Sequence, residues 1–325
     1  MKAFNSVVSL FVVVIVALII IPLPPFVLDI MFILNISLST IILLMTMYIK
    51  TALDFSVFPS ILLICTLFRL ALNISSTRLI LTNSGSAGQV IKTFGTFVLQ
   101  GNIVVGFIVF LVIVLVNFLV ITKGAERVAE VAARFKLDAM PGKQMAIDAD
   151  LNSGLINEEQ ARRRREDIQR EAEFYGSMDG ASKFVKGDAV MSIIVTFINF
   201  IGGIIIGMAQ GGKSFNDVLN IYTIATVGDG LVSQVPALMI STATGMIVTR
   251  AASNSTLGED VTRQFAAQPE AIILSGFMLL GLCLIPGMPV FQLVLVAALL
   301  LWLGFTLLRK QKSLLLLLCG QAGWP

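Results

Sequence analysis

Long apolar runs without charged side chains divide the chain into segments suited to crossing a bilayer. A helix needs about 20 apolar residues to span roughly 30 Å of hydrocarbon. Charge-free intervals that can hold such helices lie at 3–28, 30–49, 55–68, 102–122, 189–212 and 230–249, and the longer interval 271–308 can hold two. Because Pro286 and Pro289 divide that last interval, the pattern predicts an all-α polytopic membrane protein with about eight transmembrane helices.

The predicted spans surround one long charged stretch. Helices 1–4 fall within 1–122, a loop follows at 123–188, helices 5–8 fall within 189–308, and a tail occupies 309–325. The loop carries twelve basic and thirteen acidic residues. It is therefore the one segment expected to lie outside the bilayer over most of its length.

The second half of this loop has the pattern of a helix. Asn157 is a good helix cap, and Gln160 three residues later resembles a capping box. Opposite charges recur at i,i+4 spacing, which supports an exposed helix, in Glu158–Arg162, Glu159–Arg163 and Arg162–Glu166. The basic run 162–165 is read either as a solvated helix face or as a site for anionic lipid or a partner.

The distribution of lysine and arginine predicts the orientation. Cytoplasmic segments of membrane proteins are enriched in these residues. Nineteen of the 23 lie in segments on the same side as the N-terminus and the 123–188 loop, whereas Arg78, Lys92 and Lys213 lie on the other side. We therefore predict a cytosolic N-terminus and a cytosolic loop, with the apolar run after Lys2 as a retained signal-anchor helix.

Composition agrees with a membrane protein and narrows its chemistry. Hydrophobic residues make up 56% of the chain and charged residues 13%, about half of the roughly 25% typical of soluble domains. Histidine is absent from the sequence, and the three cysteines are far apart and without a CxxC spacing. No nucleophile–base pair, metal cluster or phosphate-binding glycine loop is recognisable, so we expect neither an enzyme nor a bound cofactor or metal.

Polar residues follow one face of the third predicted helix. Arg69, Asn73, Ser76 and Thr77 recur at i, i+4, i+7 and i+8. A charged side chain in or beside hydrocarbon is costly and often marks a functional site. This intramembrane stripe should face a cavity or neighbouring helices, either to fix helix packing through hydrogen bonds or to line an ion path.

Two carboxylates stand at the edges of later spans. Asp188 directly precedes the fifth, at its predicted cytosolic mouth, and Asp229, between Gly228 and Gly230, begins the sixth, on the outer side or in an unwound stretch. Burial favours the neutral form of a carboxylate, so both positions suit proton uptake and release. Helix capping or interfacial anchoring is the alternative.

The motifs around the loop are more specific than the hydropathy. Distinctive runs are RLALNISSTR at 69–78, MPGKQMAIDADL at 140–151, FYGSMDGASKFVKGDA at 174–189 and GDGLV at 228–232. They closely resemble the FlhA/FHIPEP family of export-gate proteins, in one order from about residue 20 to 308. The resemblance implies an inner-membrane component of a type III protein-export apparatus that couples proton motive force to the export of unfolded proteins.

The resemblance also implies partners and sites. It predicts a nonameric ring of copies of the chain, contacts with the other membrane proteins of the export gate, with exported substrates and with lipids, and no nucleic acid. Carried over by position, the residues linked to export are Arg127, Arg134, Asp138, Lys183 and Asp188, with Asp188 the leading proton-coupling carboxylate and Asp229 a weaker match.

The end of the sequence departs from the family. Family members continue into a large cytosolic domain, but the sequence after Lys312 resembles nothing in the linker to it, which predicts a truncated or frameshifted tail.

Three functional interpretations remain open. The runs at 72–77 and 174–183 look flagellar, with the virulence secretion branch as the alternative. A small-solute secondary transporter would show paired half-helices in corresponding halves, and no internal repeat is visible.

Overall fold

Twelve α-helices make up most of the residues that the computed structural model describes, which are 2–99, 101–209, 214–250, 255–283, 285 and 288–321. A 3₁₀ turn at Ala52–Phe55 precedes α3, and a π-helical turn at Asn117–Thr122 joins α5 to α6. The helices are α1 Lys2–Ile20, α2 Pro25–Tyr48, α3 Phe58–Thr82, α4 Gln89–Leu99, α5 Ile103–Val116, α6 Lys123–Asp138, α7 Met140–Asn152, α8 Glu158–Ala209, α9 Phe215–Val248, α10 Leu257–Ala267, α11 Pro269–Leu282 and α12 Val290–Gln321.

Six helices in the described part are long and apolar enough to cross a bilayer. They are α2, α3, the continuous run from α5 to α7, α8, α9 and the 290–310 part of α12. The α10–α11 pair, bent by 73°, can supply a seventh span, and α1 has a shorter apolar part at Ser9–Ile20. The prediction of an all-α polytopic membrane protein is confirmed, and the expected number of eight spans is approximate.

The chain forms two compact units, Met1–Ser253 and Asn254–Pro325. In the second unit α11 packs along α12, where a Cβ at Gly276 would lie 2.8 Å from Leu301 Cγ. In the first unit α3, α8 and α9 pack against one another. These three helices carry the buried polar residues described below.

The charged loop belongs to the same core as the apolar helices of the first unit. Phe174 and Met178 of α8 and Ala129 of α6 are buried in one cluster with Phe58 and Cys65 of α3. The apolar area that these residues bury holds the loop part of α8 to the start of α3. Because α8 has no break between Glu158 and Ala209, Asp188 lies inside a continuous helix rather than at its start.

The predicted capping box at the start of α8 is confirmed. The Gln160 amide N–H donates to Asn157 Oδ1 at 2.8 Å, and the Asn157 amide N–H donates to Gln160 Oε1 at 3.0 Å. All four arginines of the 162–165 run form ion pairs inside the loop, with partners Glu166, Glu159, Asp150 and Asp148 in that order. This pairing agrees with the solvated-face interpretation of the run.

Glu171 joins the three loop helices. Its carboxylate accepts from Lys136 of α6 at 2.7 Å and from Lys143 of α7 at 2.5 Å. Partial burial raises the pKa of Glu171, but the hydrogen bonds from both lysines outweigh it and hold the pKa below the usual range. The hydrogen bond between Lys136 and Glu171 raises the pKa of Lys136. The bridge therefore favours the charged forms of its members at neutral pH.

Helix α9 crosses α4 at very short range. A Cβ added at Gly228 would overlap the Ile91 carbonyl oxygen of α4, and one at Gly95 would overlap the Ile224 carbonyl oxygen of α9. The flanking glycines of Asp229 therefore allow close helix packing. Because α9 begins at Phe215 and is continuous there, Asp229 lies inside a helix, and the expectation of an unwound stretch was wrong.

Candidate functional site

Three charged side chains are buried among the residues that the structure describes. They are Arg69 on α3, Asp188 on α8 and Asp229 on α9, each 2–3% exposed. Charged residues are almost never fully buried unless they are paired. These three helices pack against one another, so the buried charges share one interior region of the first unit.

Arg69 and Asp188 form an ion pair. The guanidinium Nη2 contacts Asp188 Oδ2, and the two side chains are 3% and 0% exposed. Arg69 Nε and Nη1 and Asp188 Oδ1 are also buried and have no hydrogen-bond partner among the described residues. The pair therefore keeps unused donors and an unused acceptor in a low-dielectric environment.

A second contact joins α3 to α9 one turn further along the stripe. The Ser233 hydroxyl donates to Asn73 Oδ1 at 2.5 Å, and both residues are buried. Ser76, the next residue of the stripe, donates to the Asn73 carbonyl oxygen at 3.0 Å and lies beside the Asp229 carboxylate. The stripe predicted on the third helix thus faces neighbouring helices.

Asp229 has a partner on α8. The Asn199 side-chain amide donates to Asp229 Oδ2 at 2.9 Å, and Asn199 is fully buried. Asp229 Oδ1 is buried without a hydrogen-bond partner in the described part of the chain. One oxygen of this carboxylate is therefore held in place while the other can accept a proton or a hydrogen bond.

A small cavity lies beside the ion pair. Its volume is about 20 Å³, enough for about one water molecule. Arg69 and Ser233 both contribute to its wall, together with Asn117, Ser192 and Gln234. Asn117 begins the π-helical turn, a conformation that often occurs at functional sites. The cavity is thus lined by one member of each of the two polar contacts of α3, Arg69 of the ion pair and Ser233 of the second contact.

The predicted site residues separate into two groups. Arg69, Asn73, Asp188 and Asp229 come together in the helix interior, and Thr77 is half-buried at the end of the stripe with its hydroxyl unpaired among the described residues. The others lie on the loop surface: Arg127 and Arg134 pair with Glu130 at 2.6 and 3.6 Å, Lys183 pairs with Asp179 at 2.7 Å, and Asp138 is exposed at the end of α6.

Sequence reasoning missed three residues of the buried group. Asn199 and Asn117 are isolated polar residues within charge-free apolar runs, and Ser233 lies one turn after Asp229. An amide in an apolar helix is itself a signal, because hydrocarbon offers it no hydrogen-bond partner. The pairing of each with a specific neighbour depends on helix packing that no local pattern encodes.

The chain matches the model of the FHIPEP family over residues 15–320. This match extends past residue 308, where the resemblance was expected to end, and covers most of the tail; residues 322–325 lie outside the described residues. No solved structure matches the chain.

Three relatives show the range of similar proteins. The chain is 59% identical over 273 residues to "Flagellar biosynthesis protein FlhA" of Bacillus subtilis, covering 83% of the chain and 40% of the relative. It is 50% identical to the protein of the same name from Proteus mirabilis, covering 92% and 44%. It is 51% identical to "Low calcium response locus protein D" of Yersinia pestis, covering 92% and 42%. The chain thus spans about two fifths of the length of these relatives.

Proposed function

Because the chain belongs to the FHIPEP family, we propose that it is the membrane part of a bacterial flagellar protein-export gate, which couples proton motive force to the export of unfolded flagellar proteins. The observation that carries this proposal is the buried Arg69–Asp188 pair. It joins a permanently charged group to a carboxylate that can take up and release a proton.

The pair gives proton binding a structural consequence. Protonation of Asp188 neutralises it and leaves the Arg69 charge buried without its partner, which is strongly unfavourable. Asp188 lies on the same continuous helix as Phe174 and Met178, which anchor the loop end of α8 to α3. A change in the ion pair therefore favours a different docking of the 123–188 loop.

The available driving force is sufficient to bias such a change. A membrane potential of 100 mV contributes about 2.3 kcal/mol for each charge that crosses it. Moving a two-state equilibrium from 1:99 to 99:1 needs about 5.5 kcal/mol, so two to three protons per cycle would be enough. We assign no catalytic reaction and no cofactor to this chain.

The same proposal includes location and partners. The Lys/Arg distribution supports a multi-pass protein of the inner membrane with a cytosolic N-terminus and a cytosolic 123–188 loop. We propose that copies assemble into a ring, nonameric by family resemblance, together with the other membrane proteins of the gate. The exported proteins and membrane lipids are its further partners.

A virulence-type secretion gate is the second candidate. The Yersinia relative has a non-flagellar name, and its 51% identity lies within the 49–53% range of five flagellar relatives. The flagellar assignment is favoured by the 59% identity to the Bacillus protein. The nature of the proteins secreted by the native cell discriminates between the two candidates.

Replacement of Asp188 tests the proposal directly. Asp188→Asn keeps the size and polarity of the side chain but cannot be ionised, so we expect normal membrane insertion and loss of export in the native cell. Asp167→Asn, which removes an exposed carboxylate of the same helix outside the predicted site, is the matched control and should export normally. Export at the wild-type level by Asp188→Asn would refute the proposal.

A further inference from the structure

Resting on the proposed function, we infer that one buried proton track links Asp229 to the Arg69–Asp188 pair through a water site between α3, α8 and α9. Ser233 is a relay residue of this track, and Asn199 and Asn73 are its positioning residues. The track consists of these six residues together with Ser76. It deepens the proposed function because it names the residues that connect the two buried carboxylates.

The polar contacts follow one another in order along the three helices. From Asp229 the polar groups are Asn199 and Ser76, then the Asn73–Ser233 pair, then Arg69 with Asp188. Eleven residues of α8 separate Asn199 from Asp188, which is about 16 Å at 1.5 Å per residue. The track therefore covers about half of a hydrocarbon layer roughly 30 Å thick.

A cavity lies beside one member of the Asn73–Ser233 pair and one member of the ion pair. Ser233 and Arg69 line the same space of about 20 Å³, and Asn117, Ser192 and Gln234 add polar groups to its wall. A buried water needs two to four polar partners. Unpaired Arg69 donors and the unpaired Asn117 Oδ1 meet that need.

The two amides orient the groups that move the proton. Asn199 donates to one Asp229 oxygen and leaves the other open, and Asn73 Oδ1 accepts a hydrogen bond from the Ser233 hydroxyl. Amides do not carry the proton in this scheme. They fix the direction of the carboxylate and of the hydroxyl, which is why they are positioning residues.

Proton movement along the track conserves atoms and charge. A proton binds the open oxygen of Asp229. The Ser76 and Ser233 hydroxyls both donate to Asn73 oxygens in this structure, so both must rotate for the proton to pass between them; these hydroxyls and the water each accept one proton as they release another. The last transfer neutralises Asp188, and the later release of that proton restores the ion pair.

Two further hydroxyls extend the track towards the start of α9. They belong to Thr226 and Thr223, one and two turns before Asp229, and both are buried and unpaired within the described chain.

The charged groups around Asp188 are few. Arg69 faces it from α3, with the Cys65 thiol one turn away from Arg69. On the α6 side, Glu126 pairs with Lys186 of α8 at 2.9 Å, and Lys123 lies over the Phe118 ring. Asp229 is the buried carboxylate that α9 contributes in the described region, so Asp188 and Asp229 are the two carboxylates that the track connects.

Proton flux into vesicles tests the track. The purified 325-residue chain is reconstituted with a trapped pH-sensitive dye, and flux is measured under an imposed potential across a range of pH. Ser233→Ala, which removes the relay hydroxyl, should lower flux at least tenfold, and Ser233→Thr should restore it to within twofold. Ser75→Ala is the matched control, because Ser75 is buried on α3 but its hydroxyl donates to Leu18 of α1, and its flux should equal that of the wild type.

The pH profile separates positioning from packing. Asn199→Leu should shift the pH of half-maximal flux, because Asp229 loses its donor, whereas loosened packing alone would scale flux equally at every pH. Equal scaling would overturn the assigned role of Asn199. If Ser233→Ala does not insert into the membrane, Ser233→Thr becomes the test. A Ser233→Thr variant that inserts normally but conducts no protons overturns the track.

The outcomes distinguish the track from the proposed function. If Asp188→Asn blocks flux but Ser233→Ala conducts like the wild type, the track is wrong and the proposed function stands. If Asp188→Asn conducts like the wild type, or the wild-type chain passes no protons, the proposed function fails as well.

Discussion

Replacing Arg69 by methionine removes the buried cation that pairs with Asp188 while keeping an unbranched side chain. Because the two side chains are 3% and 0% exposed, water does not screen the charge that remains. Removing one partner of a buried ion pair costs about 3–5 kcal/mol. We expect Arg69→Met to lower the free energy of unfolding by that amount, which is about two to three and a half orders of magnitude in the equilibrium constant.

The pH dependence of this loss differs between the two partners. In Arg69→Met the remaining carboxylate can be neutralised by a proton, so the loss should shrink on acidification. In Asp188→Asn the remaining guanidinium stays protonated, so the loss should not depend on pH over the same range. Unfolding of the full chain by increasing SDS in mild detergent micelles measures both variants.

The double variant Arg69→Met, Asp188→Asn completes the cycle. It leaves no unpaired buried charge, so its loss should be smaller than the sum of the two single losses by up to about 3 kcal/mol. Single losses below about 1 kcal/mol that add in the double variant would contradict the reasoning. They would show that the two groups do not depend on each other in the folded protein.

Gly228→Ala should destabilise the chain by about 1–3 kcal/mol because its Cβ overlaps the α4 backbone, whereas Gly245→Ala, which meets open space on the same helix, should be neutral or stabilising in detergent unfolding. The pKa of Glu171 is lowered, so its bridge stabilises the loop at pH values above the ordinary pKa of 4.5. This stabilisation is lost as the pH falls through the lowered pKa. Amide exchange of α6 should therefore rise in acid, and Glu171→Gln should abolish that change. Asp29→Ala removes the acceptor for the Gln89 and Val90 amide N–H groups at the start of α4 and should cost about 1 kcal/mol in the same unfolding assay; stability equal to the wild type would exclude a capping role.

The helical class of the protein and the polar stripe of α3 were predictable because both are periodic signals. Arg69 and Asn73 lie one turn apart, so their shared face follows from sequence alone. The extent of α9 was not predictable in this way. Residues before 230 are less apolar, and their helix is held by packing on α4 through Gly228 and Gly95 rather than by hydropathy.

The partner of Asp188 could not be read from the sequence either. Nearby Lys183 and Lys186 are closer in sequence than Arg69, yet they pair with Asp179 and Glu126 on the loop surface. Helical periodicity places Asp188 on a different face from both, but only the packing of α8 on α3 decides which cation that face meets. The composition of the buried polar site therefore depends on contacts between residues that are distant in the sequence.

Helix α8 contains 52 residues without a break, which corresponds to about 78 Å at 1.5 Å per residue. A rod of this length turns a small tilt near Asp188 into a displacement of several ångströms at its N-terminal end, where Asn157 and Gln160 cap it and α7 is attached. The stiffness of the helix can therefore transmit a change at Asp188 to the loop helices. Insertion of a flexible glycine pair between residues 180 and 188 would break this stiffness, so that a movement at Asp188 no longer reaches the loop helices.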